Sequence, residues 1–164
     1  MRIADVKSEM TTNVALVYAQ YLDACRIVTA WADWNETQQS PEMRDGRDHW
    51  VTQFNRIGPF LANAPGDGTI TLVPHPNPHP PALYRGATPD RADGLSWTSD
   101  LEVARTYAQW RGTTNVYTCQ PAYVYGAITW GPDGGLGRAY VEWVVEPVNI
   151  RPLADTPNTP GGEP

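Results

Sequence analysis

The stretch of residues 94–110, GLSWTSDLEVARTYAQW, encodes a short strand that is followed at once by a helix. Ser96–Thr98 is predicted as the strand. Residues 101–110 are predicted to form a helix. Ser99 and Glu102 form the S-x-x-E capping box that starts a helix, and Ser99 and Asp100 are both expected to act as caps, so the boundary between the two elements is expected here.

Strand-like runs flank this unit on both sides. One precedes it, at residues 82–85, and four follow it, at residues 116–119, 123–128, 140–145 and 148–153. The second half of the chain is therefore predicted to form a mostly β core with one inserted helix.

The first half is predicted to be mainly helical. Apolar residues at steps of three and four favour an amphipathic helix from residue 11 to about residue 34. The stripe expected to face the core consists of Val14, Val17, Tyr18, Tyr21, Cys25 and Val28. A second helix is expected from Pro41 to about Leu61, because proline favours the first turn, and residues 69–73 (TITLV) read as a short strand. The predicted fold class is α+β, with an N-terminal helical pair packed on the β core.

A proline-rich joint separates the two halves. Prolines alternate through residues 74–81, PHPNPHPP, which favours polyproline II. We therefore expect N-terminal helices, a short strand and the joint in residues 1–81, and the core in residues 82–153. Residues 154–164 are expected to be a disordered tail. A chain of 164 residues should still form one compact domain.

The composition limits the classes of function. The net charge of −6 disfavours nonspecific binding to nucleic-acid phosphates. There is no apolar run long enough for a membrane span and no signal-peptide core, so we expect a soluble, cytoplasmic protein without a membrane partner. Cys25 and Cys119 are expected to be reduced thiols, and no Cys/His spacing predicts a metal site. The sequence leaves the oligomeric state open.

Three short motifs in the second half carry polar residues in settings that suggest chemistry. They are LYRG at residues 83–86, GLSWTSD at residues 94–100 and AYVEWVVEP at residues 139–147. In the first motif, Arg85 ends a strand, where a guanidinium fork can grip phosphates. Gly86 would let a flat ligand approach the backbone.

The other two motifs place side chains by strand alternation. Ser96 and Thr98 share one face of their strand, so both hydroxyls could orient a carboxylate or a ribose, while Trp97 points into the core. Glu142 lies in an apolar strand, where a carboxylate is unfavourable unless it is paired or takes part in a reaction. Glu146 is the rival carboxylate, although it lies at a strand end.

The order and placement of these motifs resemble the Arg-Ser-Glu class of mono-ADP-ribosyltransferases, which includes small toxins and phage effectors. The resemblance covers residues 83 to about 153. It implies an ADP-ribosyltransferase-like core that binds NAD as its substrate and transfers ADP-ribose to a macromolecule, a host protein in preference to a nucleic acid. By the same resemblance, the catalytic residues are Glu142, Ser96 and Arg85. The residues that would bind NAD are Arg85, Gly86, Tyr84, Ser96, Thr98 and Tyr107.

The chemistry of NAD cleavage fits these residue types. Departure of nicotinamide leaves positive charge on the ribose, as in glycoside cleavage, and a carboxylate beside the sugar stabilises that charge. Tyr140 would lie near the acceptor, because it stands two residues before Glu142, where the family often carries a Glu or Gln that selects the acceptor. An arginine acceptor is therefore disfavoured. Two alternatives stay open: a NAD glycohydrolase, or a catalytically inactive partner-binding protein of the same fold.

Overall fold

The computed structural model describes residues 3–33, 39–67, 69–74, 79–133 and 136–154. In chain order, the helices are α1 (Ile3–Ala32), α2 (Pro41–Asp45), α3 (Arg47–Ile57) and α4 (Leu101–Trp110). The strands are β1 (Phe60–Ala64), β2 (Thr71–Pro74), β3 (Leu83–Gly86), β4 (Ser96–Thr98), β5 (Val116–Trp130) and β6 (Tyr140–Pro152). The predicted α+β class is confirmed. Of the helices within the described ranges, none combines the length and the apolar composition needed to cross a bilayer.

All six strands belong to one sheet in the order β2-β1-β5-β3-β4-β6, and β5 also pairs with β6. This extra pairing closes β5, β3, β4 and β6 into a ring. The ring forms because β5 pairs with both β3 and β6. The strand is long enough for its last residues to pair with β1 as well. One side chain from each ring strand contributes to a common buried cluster, which consists of Leu83, Trp97, Tyr117 and Val145. Trp97 therefore lies in the core, as strand alternation predicted.

The second predicted helix is divided and ends early. Gly46, at φ 88°, separates α2 from α3, and Gly58, at φ 72°, ends α3. The segment after Gly58 is β1, in which Phe60, Ala62 and Ala64 are buried. The prediction of a helix to about Leu61 was wrong, because a buried alternation of period two was interpreted as the end of a helical stripe.

Helix α1 starts earlier than predicted, at Ile3, and ends at Ala32. Its C-terminal part packs on the core through Ile27, Val28 and Trp31, which are buried. Val14 and Val17, in contrast, are 68% and 64% exposed. The prediction that the whole stripe faces the core was therefore wrong for its first half, because the helix extends beyond the body of the molecule.

The lengths of two strands differ from expectation. Each of β5 and β6 is one long strand instead of two short ones, and Pro121 faces Pro147 next to a register shift in their pairing. Of the two caps expected before α4, Asp100 provides the hydrogen bonds: its carboxylate accepts from the backbone N–H groups of Glu102 and Val103, at 2.9 and 3.2 Å. The middle of the proline-rich joint and the predicted tail, from residue 155, lie outside the described residues.

The main core joins the helices to the sheet through aromatic rings. The ring centroid of Phe54 lies 5.2 Å from Trp31, 5.7 Å from Trp50, 5.9 Å from Phe60 and 5.6 Å from Tyr125. These rings come from α1, α3, β1 and β5, and rings of this size bury more apolar area than aliphatic side chains. The N-terminal helices are thus fixed to the sheet that carries the polar motifs.

Candidate functional site

Glu142 is a buried carboxylate held by side chains from three other elements. It lies in β6, opposite Ile128 of β5 and Thr98 of β4, and is 7% exposed. Its Oε1 accepts a hydrogen bond from the indole Nε1 of Trp31 at 3.0 Å, and its Oε2 accepts one from the indole Nε1 of Trp130 at 2.9 Å. The Ser96 hydroxyl is a further polar group beside the carboxylate and favours its ionised form.

Burial and hydrogen bonding act on Glu142 in opposite directions. Burial raises the pKa of the carboxyl, while the Ser96 hydroxyl, the hydrogen bonds from Trp130 and Trp31 and the charge of Arg85 lower it. Burial dominates, so the pKa lies above its ordinary value. An ionised carboxylate offers about four lone-pair positions. The two indoles occupy two of them, which leaves room for roughly two further hydroxyl donors.

Arg85 is a half-buried cation that is anchored by backbone carbonyl groups. Its Nε donates to the carbonyl oxygen of Arg91 at 3.0 Å, and its Nη1 donates to that of Ser96 at 2.5 Å. Gly94 leaves space for the guanidinium, since a Cβ there would overlap Nη2. Burial, together with the charge of Arg111, lowers the pKa of Arg85 to about 10, so the side chain stays charged at neutral pH.

No ion pair engages Arg85 among the residues that the structure describes. A partly desolvated guanidinium without a carboxylate partner is well suited to bind an anionic ligand, because charged hydrogen bonds strengthen where water is excluded.

Arg111 is a second cation, which the sequence motifs did not identify. It follows α4, and its Nη1 donates to the carbonyl oxygen of Gly86 at 2.7 Å. Its guanidinium carbon lies 5.6 Å from the centre of the Tyr107 ring, and burial lowers its pKa. Only the packing of α4 against β3 brings Arg111 to this place, so no spacing in the sequence could have indicated it.

A small cavity of about 40 Å³ brings the predicted site residues together. All eight residues proposed from the motifs line it: Tyr84, Arg85, Gly86, Ser96, Thr98, Tyr107, Tyr140 and Glu142. Trp31, Ser40, Glu42 and Arg111 also contribute polar groups to the lining. The contribution of Trp31 means that α1 forms part of this cavity.

Two of these residues also have structural roles. A Cβ at Gly86 would overlap the carbonyl oxygen of Ala104 and approach the backbone nitrogen of Ala108 to 2.5 Å. Gly86 is thus required by the close packing of α4, a reason other than the ligand approach proposed for it from the sequence. The Thr98 hydroxyl accepts a hydrogen bond from the backbone nitrogen of Asp100 at 3.1 Å, so it helps to start α4.

A larger cavity, of about 1140 Å³, adjoins the small one. Ser40, Tyr107, Arg111 and Tyr140 line both cavities. The hydroxyls of Tyr107 and Tyr140 are hydrogen bonded at 2.9 Å, and Tyr140 stacks on Trp130 with ring centroids 6.2 Å apart. The side chains of Tyr107 and Tyr140 therefore lie between the small cavity and the large one.

The rival carboxylate, Glu146, lies outside this arrangement. Its Oε1 accepts a hydrogen bond from Arg47 at 2.6 Å, and its Oε2 accepts one from the Tyr125 hydroxyl at 3.3 Å. Glu146 does not appear among the residues that line the small cavity. Of the two carboxylates considered from the sequence, Glu142 and Glu146, only Glu142 lines the small cavity.

Comparisons with protein-family models, with curated proteins and with solved structures gave no match to this chain. Within the described part of the chain, no group of three His, Cys, Asp or Glu side chains is arranged to hold a metal ion, and Cys25 and Cys119 are free. The interpretation of the site therefore depends on its own geometry and chemistry.

Proposed function

We propose that this protein consumes NAD as a mono-ADP-ribosyltransferase and passes ADP-ribose to a macromolecular acceptor, with a protein as the favoured class. One observation carries the proposal: a buried carboxylate, fixed by two indoles, shares a cavity with a cation that makes no ion pair among the described residues. NAD offers what such a pair requires, namely a sugar that becomes positive and a pyrophosphate that is negative.

In the proposed reaction, the bond between the ribose C1′ and the nicotinamide nitrogen breaks, and its electron pair leaves with nicotinamide. Positive charge develops on the ribose, and ionised Glu142 stabilises it. A free lone pair of Glu142 accepts a hydrogen bond from a ribose hydroxyl, and this bond orients the sugar. An acceptor nucleophile then forms the new bond to C1′ and gives up its proton, for which the nearby carboxylate is a suitable base because burial raises its pKa.

The two cavities suit different parts of the substrate. Sites for small molecules and cofactors usually enclose about 300–1,000 Å³. The small cavity, at about 40 Å³, can admit only a few ligand atoms beside Glu142, whereas the adjoining cavity of about 1140 Å³ has room for most of a ligand the size of NAD. Arg85 and Arg111 lie beside the small cavity, where a pyrophosphate between the two halves of NAD would pass.

Tyr140 bears on the choice of acceptor. Its hydroxyl is hydrogen bonded to Tyr107, and its ring stacks on Trp130. Burial raises the pKa of this phenol further, so it cannot act as a base at neutral pH. With no carboxylate at this position, an arginine acceptor lacks a partner for its guanidinium. The same feature favours hydrolysis as the second candidate function, because water needs no such partner.

Adenine-labelled NAD mixed with the protein and a cell lysate distinguishes the candidate functions. Label on a macromolecule is the expected outcome. Free ADP-ribose as the only product would assign the protein as a NAD glycohydrolase. Absence of any turnover with the lysates of several cell types would leave a partner-binding protein and overturn the proposal.

Glu142→Gln tests the residue on which the proposal depends. We expect turnover to fall by about 10²–10⁴-fold, because an amide can neither stabilise the sugar charge nor take a proton. The amide nitrogen must face one of the two indole N–H groups, so the variant should also lose about 1–3 kcal/mol of stability, and a thermal melt must accompany the assay.

Two further variants serve as controls for this test. Glu146→Gln changes the same residue type on the same strand outside the cavity and should keep near-normal turnover. Ser96→Ala removes a hydroxyl that favours the ionised form of Glu142, with little loss of volume, and should lower turnover in a folded protein. Near-normal turnover of folded Glu142→Gln would contradict the assignment.

A further inference from the structure

The N-terminal half of α1 carries apolar residues that do not pack on the core. Its apolar residues continue a spacing of three and four along the helix, through Val14, Val17, Tyr21, Ala24, Val28 and Trp31. The last three of these residues pack on the core, whereas the first three lie beyond it. The helix face that is buried in the second half is therefore the face that is exposed in the first half.

The exposed part of this face is apolar and uncharged. Val14, Val17 and Tyr18 are 68%, 64% and 62% exposed, and Leu22 is 48% exposed. Asp23 is the only charged residue from position 14 to position 25, and its carboxylate is paired with Arg26 at 2.7 Å and with Arg56 at 2.8 Å. We call the surface formed by Val14, Val17, Tyr18, Tyr21 and Leu22 the α1 stripe.

We infer that the α1 stripe is the contact surface for a second copy of this chain. Alternating steps of three and four residues are the spacing by which two helices pack along a common seam. A pairing between identical stripes brings no like charges together, because the stripe has none. Symmetric dimers are also the commonest assemblies of identical chains.

The area of the α1 stripe agrees with this occupant. Five large side chains at such exposures present roughly 500 Å² of apolar surface, near the upper limit for a monomer. Two stripes in contact bury about 1,000 Å², which reaches the lower limit for a specific interface. A helix of this kind gains most of its stability from packing an apolar face, so association also stabilises the projecting half of α1.

Sedimentation equilibrium of the full chain, from low to high micromolar concentration, tests the inference. The wild type should approach twice the mass of the chain. Val17→Glu places a charge within the α1 stripe and should remain at the mass of a monomer. Leu16→Glu is the matched control, since Leu16 is 57% exposed on the other side of the helix, and it should dimerise like the wild type.

Circular dichroism of both variants establishes that α1 stays folded at the concentrations used. The inference is overturned by a wild type that stays monomeric over the whole range, or by a Val17→Glu variant that dimerises as well as Leu16→Glu. Binding of the monomeric wild type to lipid vesicles, with loss of that binding in Val17→Glu, would assign the stripe to a membrane surface instead and equally overturn it.

Discussion

The surroundings of Glu142 make the pKa of its carboxyl differ between the folded and the unfolded state. Indole donors cannot ionise, so Trp31 and Trp130 keep their hydrogen bonds to the carboxyl at any ordinary pH. Burial nevertheless dominates and raises the pKa above the ordinary value of 4.5. A carboxyl with a raised pKa in the folded state stabilises the fold below its unfolded pKa, and this contribution is lost as the pH rises through the folded value.

The pH dependence of stability should therefore reveal Glu142. We expect the free energy of unfolding of the wild type, relative to Glu142→Gln, to decrease as the pH rises from about 4 towards neutrality. The misplaced amide in the variant adds an offset that does not depend on pH. Denaturant unfolding at several pH values measures the difference, and a difference that is flat or rises with pH would contradict the raised pKa.

A test of NAD binding separates Arg85 from its neighbours. Arg85→Ala should weaken NAD binding by about 1.5–3 kcal/mol, the range for a hydrogen bond to a charged group. Arg85→Lys should restore little of the lost affinity for NAD. An ammonium lacks the planar fork with which a guanidinium can bind two backbone carbonyls and a phosphate at once. Calorimetry with NAD measures both affinities. The matched control is Arg91→Ala, which removes a side chain that is 46% exposed nearby; unchanged affinity in Arg85→Ala would refute the assignment.

Among individual residues, the sequence predicts those whose polar side chain contrasts with an apolar strand around it. Glu142 and Arg85 are polar residues in apolar runs, and the small cavity does contain both. Trp31 could not have been found, because it reaches Glu142 across 111 positions of sequence and looks like an ordinary core residue. The cost of an unpaired buried carboxylate predicts that donors exist, but not which residues supply them.

The start of α4 shows how local signals compete within an element. Ser99 completes the motif of a capping box, but Asp100 follows it directly and provides the hydrogen bonds. A carboxylate near a helix N-terminus also interacts favourably with the helix dipole. Both residues are good caps in sequence terms, so only the backbone geometry decides between them.

Substitutions at the two positions should therefore differ in effect. Asp100→Ala should lower the free energy of unfolding by about 1 kcal/mol, the typical cost of losing an N-cap. Ser99→Ala should change it by less than about half a kcal/mol, as at an ordinary surface position. Chemical denaturation compares the two, and an equal loss from both would restore Ser99 as a partner in the cap.

Element predictions succeeded where the local pattern and the environment agree. The helix α4 and the strand β4 have the predicted bounds, because the strand pattern is followed directly by cap residues, whichever of them makes the hydrogen bonds. The error at β1 arose because Phe60 and its neighbours are apolar in a run too short to distinguish period two from period 3.6. The parallel pairing of β1 with β5 is a long-range contact that no local pattern encodes.

The sheet unites parts of the chain on either side of the proline-rich joint. β1 and β2 precede it, and both belong to the sheet formed with β3 to β6. The aromatic core likewise takes rings from both sides, with Phe54 among them and 1% exposed. Shared core and shared sheet together favour cooperative unfolding.

We expect one unfolding transition for the whole molecule. Phe54→Ala should shift that entire transition by about 3–5 kcal/mol, because it removes a ring that contacts both the helices and the sheet. Val73→Ala, at a residue that is 50% exposed on β2, should have an effect within about half a kcal/mol. Fluorescence and circular dichroism monitored together provide the measurement, and two separated transitions would indicate independent units.

The hydrogen bond between Trp31 and Glu142 also has a consequence for the order of events during translation. Trp31 belongs to α1 and Glu142 to β6, so the carboxylate cannot be held in place while β6 is still inside the ribosome. Any reaction that needs Glu142 in this position can begin only after β6 has emerged and paired.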